Sequence, residues 1–203
     1  MSSGAQAAET TLPEEEILRA DLYALLAKLL SGAPDQATLQ QLAALTGDDS
    51  DLGSGITALA RVANITSPEA ATREYNALFI GLGRGELLPY ASYYLTGFLN
   101  EKPLAVLRDH MAKLGIERSS DNKEPEDHIA TICEMMAGLI RGDYGTALNV
   151  ADQEAFFNTH LAVWAQHFFT DLEGAEGSLF YAPVGKIGRA FIGIEIEAFR
   201  MES

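Results

Sequence analysis

The feature that most constrains the fold is the spacing of apolar residues, which recur three and four positions apart along nearly the whole chain. Residues 14–30 show this clearly, with a broad apolar stripe that consists of Ile17, Leu18, Leu22, Leu25, Leu26, Leu29 and Leu30. Such spacing places side chains on one face of an α-helix, and no segment shows the two-residue alternation of a half-buried strand. The sequence therefore predicts an all-α fold, a bundle of about nine or ten helices.

Start signals and breaks divide this pattern into separate helices. Ser67 followed by Pro68 is typical of a capped helix start, with the proline at the first helical position. We expect Asp152 to cap one continuous helix that carries the apolar residues of 156–168. Further helices are predicted at 14–30, 38–45, 52–62, 90–98, 127–141 and 183–201, and another begins at 103.

Length and composition are typical of a soluble globular protein, since 203 residues are 47% apolar and 21% charged. No apolar run approaches the roughly 18 residues of a membrane-spanning helix. The first dozen residues lack the basic and hydrophobic regions of a secretory signal, so we expect 1–13 to form a flexible tail. The single cysteine, Cys133, excludes an intramolecular disulfide and fits a reducing compartment, which favours the cytoplasm.

The net charge limits the partners that the protein can attract. Fourteen basic residues against 29 acidic ones give a formal charge of −15. Such a surface repels nucleic acid and anionic lipid, and it attracts cationic partners. An acidic surface also serves solubility alone, so two interpretations stay open: a solvated surface, or a surface that steers a basic peptide to the protein.

A polar segment at 117–125 is the best candidate for a linker, because it is hydrophilic, has no apolar pattern and contains a proline. It divides the chain into an N-terminal helical domain, 14–116, and a C-terminal helical domain, 126–203. A hinge between two units that need each other's apolar faces is also a place where two copies can exchange halves.

The first candidate site joins the end of a helix to a glycine-rich loop. Tyr75, Leu78 and Phe79 share one helical face, and the loop after them contains Gly81, Gly83 and Gly85. A phosphate-binding loop is disfavoured because no Gly-Lys-Ser/Thr follows and no strand precedes. The three apolar residues either belong to the core or form the wall of a groove that receives an amphipathic peptide.

The second candidate site is the acidic segment 124–128. Glu124, Glu126 and Asp127 cluster at a helix start around Pro125, and His128 is next in the chain. The acids either cap the helix or offer charge-assisted hydrogen bonds to a pair of arginines. Asp127 and His128 are poorly placed for a catalytic dyad, because adjacent helical residues point about 100° apart. An exposed His128 would titrate near neutrality and make binding sensitive to pH.

The remaining histidines do not predict a metal site. His160 and His167 lie seven residues apart beside Trp164, on what reads as one helix, and no third ligand is in register. Core or interface positions are therefore expected for both, and His110 has no partner in the sequence pattern.

Three blocks taken together resemble the TorD/DmsD (NarJ-like) chaperones, and the similarity in block order extends from about residue 15 to 200. The blocks are Tyr75, Leu78, Phe79, Gly81 and Gly83; Pro89, Tyr90, Ser92 and Tyr94; and Glu124, Pro125, Glu126, Asp127 and His128. The resemblance implies an all-helical, non-enzymatic protein that uses these residues, Tyr94 excepted, to bind twin-arginine signal peptides of molybdoenzymes. It also implies a monomer or a domain-swapped homodimer and no cofactor, with weak guanine nucleotide binding associated with some members.

One position departs from the family pattern. Some relatives carry a basic residue shortly after the Pro-aromatic-x-Ser block, where this chain has Thr96 and Gly97. The role of that basic residue is therefore not transferred to this chain.

The sequence thus predicts a cytoplasmic chaperone that binds the signal peptide and apo form of a molybdenum-cofactor oxidoreductase of the DMSO/TMAO reductase family before export. Three alternatives stay open. The first is an assembly chaperone for a cytoplasm-facing nitrate reductase subunit. The second is a small α-helical hydrolase that uses Asp127 and His128. The third is a purely structural helical adaptor.

Overall fold

Residues 12–117 and 124–202 form ten α-helices in a computed structural model of the chain. They are α1 Glu14–Ser31, α2 Gln36–Ala43, α3 Asp51–Ala63, α4 Pro68–Tyr75, α5 Ala91–Thr96, α6 Lys102–Leu114, α7 Ile129–Arg141, α8 Val150–His160, α9 Ala165–Gly174 and α10 Tyr181–Glu202. The predicted all-α fold is confirmed. Most of the predicted tail (1–11) and of the predicted hinge (118–123) lies outside the described residues.

The centre of the fold is the packing of α1 against α7. The apolar stripe of α1 includes Leu26, Leu29 and Leu30, and these are buried against a helix that is itself almost wholly buried. Because α1 precedes the predicted hinge and α7 comes after it, the two predicted domains share one continuous apolar core. The division into two domains stays a prediction.

The longest helix, α10, completes the bundle by packing against α9 and α3. Its approach to α9 depends on Gly188, since a Cβ there would lie 2.2 Å from Phe169 Cδ1. The absence of a side chain lets the two helices come close enough to bury the Phe169 ring completely. None of the described helices combines the length and the apolar content that are needed to cross a lipid bilayer.

A buried polar network ties α1 to α8 and α10. Arg19 donates from Nε and Nη2 to the two oxygens of Glu195, both at 2.8 Å, and Tyr23 Oη donates to Glu195 at 2.9 Å. Arg19 Nη1 also donates to Glu16 and to Gln153. The guanidinium and the carboxylate are thereby neutralised and hydrogen-bonded, as burial of a charge requires.

One predicted helix is in fact two. The prediction of a continuous helix over 156–168 capped by Asp152 is wrong, because α8 ends at His160 and α9 begins at Ala165. Asn149 is the cap of α8, and its Oδ1 accepts from Asp152 N at 2.9 Å. The interruption places the Trp164 indole in the core, where its Nε1 donates to His160 O at 2.7 Å. Burial of a large aromatic thus overrides the local helical pattern.

We expect the substitution Glu195→Leu to lower the free energy of unfolding by about 2–3 kcal/mol, because it removes one of the two carboxylates that contact the half-buried Arg19 guanidinium and leaves the buried Tyr23 hydroxyl without its acceptor. The Glu195 side chain is only 2% exposed. Glu197→Leu is the matched control, since its carboxylate pairs with Arg200 at a 64% exposed position and should cost about 1 kcal/mol or less. Urea denaturation of both variants measures the difference, and equal losses would contradict the assigned role of the network.

Candidate functional site

The first block leaves helix α4 through a π-helical turn, Asn76–Ile80. Gly81 N donates to Asn76 O at 2.6 Å, a hydrogen bond that spans five residues instead of four. Gly81 then adopts φ 61°, and a Cβ at this position would lie 1.9 Å from Arg84 O. Glycine is therefore required where the chain turns into the loop, as the sequence predicts.

The aromatic residues of this block form a cluster with a residue from the far end of the chain. Tyr75 and Phe79 lie with ring centroids 5.0 Å apart, and Tyr181 of α10 packs on both, at 5.9 Å and 5.5 Å. Tyr75 and Phe79 are half-buried, whereas Leu78 is fully buried. Leu78 therefore belongs to the core, while the rings of Tyr75 and Phe79 reach the surface.

Glu74 holds Tyr181 in place, and sequence reasoning missed this role. Its carboxylate accepts hydrogen bonds from the backbone N–H groups of Leu179, Phe180 and Tyr181 at 2.8, 3.0 and 2.8 Å. These are donors at the start of α10 that have no partner within the helix. A carboxylate in this position also interacts favourably with the helix dipole. No local pattern around Glu74 indicates a partner more than 100 residues away.

The glycine-rich loop presents apolar side chains to solvent. Ile80 is exposed, and Leu82 is completely exposed at the tip of the loop. Arg84 folds back onto Tyr93, with Nη2 donating to the hydroxyl at 2.6 Å and the guanidinium 5.2 Å from the ring centroid. Exposed large apolar residues beside half-buried aromatic rings are typical of an interaction surface.

The third block, 124–128, and the residue after it are joined to the segment 89–92 by hydrogen bonds in both directions. Ile129 N donates to Pro89 O at 2.8 Å, and Ala91 N donates to Asp127 O at 3.0 Å. The Asp127 side chain adds a third bond, because its Oδ2 accepts from Ser92 N at 2.8 Å. Asp127 and Ser92 are both buried. The structure thus brings the second and third sequence blocks into direct contact.

His128 caps helix α7 and is buried. Its Nδ1 accepts from Ala130 N at 3.1 Å, so the neutral imidazole carries its hydrogen on Nε2. The ring meets Tyr90 edge-on with centroids 5.1 Å apart. Burial lowers the pKa of His128 from 6.5 to about 4, with Glu124 acting in the opposite direction. The exposure that titration near neutrality would require is therefore not met.

The three acids of the third block have different surroundings. Glu126 is buried and accepts from Arg108 Nη2 at 2.8 Å and from its Nε at 3.0 Å. Asp127 is also buried, but Glu124 is exposed and accepts a hydrogen bond from the Tyr90 hydroxyl. Of the three carboxylates, only that of Glu124 belongs to an exposed residue, with Pro125 half-buried beside it.

The aromatic cluster and the acidic block are neighbours. Burial, and after it the charge of Glu124, raises the pKa of Tyr75. Burial, the hydrogen bond to Glu124 and its charge likewise raise the pKa of Tyr90. Glu124 therefore contributes to the raised pKa of one tyrosine in each of the other two blocks, Tyr75 in the first and Tyr90 in the second. We define the candidate surface as Tyr75, Phe79, Ile80, Leu82, Tyr90 and Glu124.

The geometry does not assemble a catalytic dyad. Asp127 bonds to the backbone of Ser92 and His128 to that of Ala130, so each side chain serves a helix start. Cys133 is fully buried, and burial raises the pKa of its thiol well above the ordinary value. Among the described residues no group of three or more histidine, cysteine, aspartate or glutamate side chains could hold a metal ion.

The structure also corrects the prediction for the histidines. His160 and His167 do not share a helix, because the first ends α8 and the second belongs to α9. His110, which was expected to have no partner, contacts His160, with 2.8 Å between His110 Nδ1 and His160 Nε2. This contact joins α6 to α8. Of the two histidines, His160 is buried and His110 is half-buried.

Comparison with known proteins identifies the family. The model of the nitrate reductase delta subunit family matches residues 45–170 of this chain. The chain belongs to this family, which includes the TorD and NarJ chaperones. The resemblance in the three sequence blocks is confirmed.

Relatives within the family are named as TorD chaperones. The chaperone protein TorD of Vibrio atlanticus is 30% identical over 164 residues, which cover 74% of this chain and 76% of the relative. The TorD of Aliivibrio fischeri is 27% identical over 203 residues and covers 88% and 93%. These names confirm the prediction that this TorD-family chain is a chaperone and not an enzyme.

A solved structure supports the fold. The crystal structure of a protein from Archaeoglobus fulgidus, assigned to redox enzyme maturation, superposes with a TM-score of 0.58 at 22% identity. The match covers 93% of this chain and 99% of the other, so nearly the whole bundle is shared.

We expect the TorD-family fold of this chain to lose stability in mild acid. Because the pKa of His128 falls from 6.5 to about 4 on folding, the unfolded chain binds a proton in this interval that the native protein does not. The contribution of His128 to the free energy of unfolding is therefore fully present above about pH 6.5, and it is lost as the pH is lowered toward 4. His128 alone should contribute a loss of about 2 kcal/mol between about pH 7 and about pH 5.

Urea denaturation at the two pH values measures this loss. His128→Asn is the comparison variant, because asparagine can also cap the helix but does not titrate. The variant should lose about 2 kcal/mol less than the wild type over the same interval. An identical pH dependence in both proteins would contradict the lowered pKa of His128.

Proposed function

We propose that this chaperone binds, in the cytoplasm, the twin-arginine signal peptide and the apo form of a molybdenum-cofactor oxidoreductase of the DMSO/TMAO reductase family. Binding delays export of the client until its cofactor has been inserted. The TorD-type relatives and the maturation protein of similar fold support a client among the redox enzymes. The candidate surface supports a peptide as the ligand, since it combines exposed apolar residues with an acid.

The observation that carries the proposal is the position of Glu124 beside an apolar surface. A signal peptide presents two arginines followed by a hydrophobic stretch. Ile80 and Leu82 offer an exposed apolar contact, and the rings of Tyr75 and Phe79 extend it inward. An amphipathic segment buries its apolar face on such a surface while its basic residues remain at the acidic edge.

The charge of the whole chain favours the same ligand. A net charge of −15 attracts a basic peptide over distances comparable to the Debye length, and this raises the association rate at low salt. Part of the binding free energy is spent on ordering the flexible peptide. We therefore expect moderate affinity together with fast association.

We expect Leu82→Ser to weaken binding of a twin-arginine signal peptide roughly tenfold or more, because a leucine buried on binding contributes about 1.5–3 kcal/mol. The melting temperature should not change, since Leu82 makes no buried contact in the free protein. Calorimetric titration with a panel of signal peptides measures the affinity.

Met201→Ser is the matched control for this experiment. Met201 is also an exposed apolar residue, and it lies at the opposite end of α10 from Tyr181, about 30 Å along the helix. Its substitution should leave binding unchanged. If Leu82→Ser and Met201→Ser bind the peptide equally well, the loop is not part of the binding surface.

A second client is favoured by the family description itself. The matching family is that of the nitrate reductase delta subunit, so a cytoplasm-facing nitrate reductase subunit without a twin-arginine signal is the alternative. Affinity purification from cells followed by identification of the bound protein distinguishes the two clients. A chain that captures no redox enzyme and binds no signal peptide would instead be a structural adaptor.

A further inference from the structure

An open groove of about 570 Å³ lies between α1 and α10. Its two long walls are helix faces with the same spacing: Glu15, Leu18 and Leu22 on α1, and Phe191, Ile194 and Ala198 on α10. Each wall is about 10 Å long, which corresponds to roughly two turns of a helix. Ile194 lies about 20 Å along α10 from Tyr181, so this α1–α10 groove is separate from the candidate surface.

Large apolar side chains are exposed in the α1–α10 groove on three different helices. They are those of Leu18 on α1, Ile194 on α10 and Val150 at the start of α8. The C-terminal half of the apolar stripe of α1 is buried in the core, whereas Leu18, in the N-terminal half, is exposed. Exposed apolar side chains that lie together mark an interaction surface.

The polar groups in the middle of the groove already satisfy one another. Arg19 donates two hydrogen bonds of 2.8 Å to Glu195, and it pairs with Glu16 at 2.6 Å. Its guanidinium also lies 5.1 Å from the centroid of the Phe199 ring. These side chains therefore form a neutral floor, and the apolar walls are left for a ligand.

One end of the groove carries negative charge. Glu14 and Glu15, in the first turn of α1, are exposed lining residues, and neither forms an ion pair within the described part of the chain. Among the lining residues Arg19 is the one cation, and it is already paired. The helix dipole accounts for acids at a helix start, but it does not account for exposed apolar walls beside them. A ligand with an apolar face and a positively charged end complements both features.

We propose that the α1–α10 groove binds a basic amphipathic helix of a partner protein. The apolar face of that helix covers Leu18, Ile194 and Val150, and its basic residues lie next to Glu14 and Glu15. Helices bind such grooves through apolar anchors at i, i+3, i+4 and i+7, and walls of roughly two turns accommodate that set. The inference goes beyond the proposed function, because it assigns a second binding surface that does not involve the signal peptide.

Two other occupants are disfavoured by charge. A second copy of this chain also carries a net charge of −15, so it would bring like charge to an acidic groove. The segment 1–11 precedes α1 in the sequence, but its only charged side chain is the acidic one of Glu9. Neither supplies the basic side chains that Glu14 and Glu15 attract.

Calorimetric titration with a synthetic helix tests the groove. The peptide has about 14 residues, with leucines along one face and lysines at one end, and a second peptide has the same composition in scrambled order. Both are titrated into Leu82→Ser, so that the candidate surface contributes less to binding. The patterned peptide should bind roughly tenfold more tightly or better, because only its sequence forms an apolar face. Equal binding of the two peptides would overturn the inference.

Two isoleucine variants locate the bound peptide. Ile194→Ser removes an apolar side chain from the groove, and Ile65→Ser removes one after the end of α3, where it is exposed and does not line the groove. Ile194→Ser should weaken binding of the patterned peptide roughly three- to tenfold, since the exposed half of this side chain is buried on binding. Ile65→Ser should not weaken it. The inference is wrong if the two variants bind the peptide equally well.

Two double variants separate local charge from net charge. Glu14→Gln with Glu15→Gln neutralises the end of the groove, and Glu101→Gln with Asp109→Asn removes the same charge from exposed positions on the α6 side of the protein. At low salt the first pair should weaken binding about two- to tenfold and the second pair less. Equal weakening would show that net charge alone attracts the peptide, which contradicts the assigned position of its basic end.

The alternative occupants give different results. A wild-type dimer that dissociates on Ile194→Ser would assign the groove to a second copy and overturn the inference. A chain that begins at residue 12 and binds the peptide about tenfold more tightly would assign the groove to the segment 1–11, with the same consequence. Failure of a twin-arginine peptide to bind the wild type would instead contradict the proposed function and leave this inference intact.

Discussion

The hydrogen bonds between residues 89–92 and 127–129 determine how the rest of the functional region is arranged. The first N–H groups of a helix have no partner within it, and here α5 and α7 begin side by side. Ala91 and Ser92 of α5 donate to the main chain and side chain of Asp127, and Ile129 of α7 donates to Pro89. Each helix start is therefore completed by the segment that precedes the other, which fixes the acidic block against the segment that follows the glycine-rich loop.

Most of the fold could be predicted because each long helix carries its own apolar face. The stripe in α1 predicts a core helix over 14–30, and the structure has Glu14–Ser31. The prediction of one helix over 156–168 is wrong because the break in it is set by tertiary packing and not by the local apolar pattern. Its interruption at Leu161–Trp164 depends on the space that the core leaves for the Trp164 ring, and a local pattern contains no information about that space.

In the candidate site, the turn into the glycine-rich loop could be predicted from the sequence, whereas the surroundings of the predicted side chains could not. Glycine at position 81 is required by the backbone turn into the loop, which is a local property. Tyr181 and Glu74 are joined across more than 100 residues, and no sequence window contains both. The burial of His128 is likewise set by Tyr90, which packs on it from another part of the chain. Contacts of this kind depend on the assembled tertiary structure.

The direction of the glycine-rich loop depends on the number of residues in the π-helical turn Asn76–Ile80, which precedes it. The turn holds one residue more than an α-helical turn. Deleting that surplus residue would return the segment to ordinary helical register and rotate the downstream loop by about 100°. Leu82 would then point in a new direction while Ala71, upstream in α4, kept its place in the core. A single-residue insertion or deletion at this turn would thus redirect the exposed apolar side chains of the loop without rebuilding the bundle.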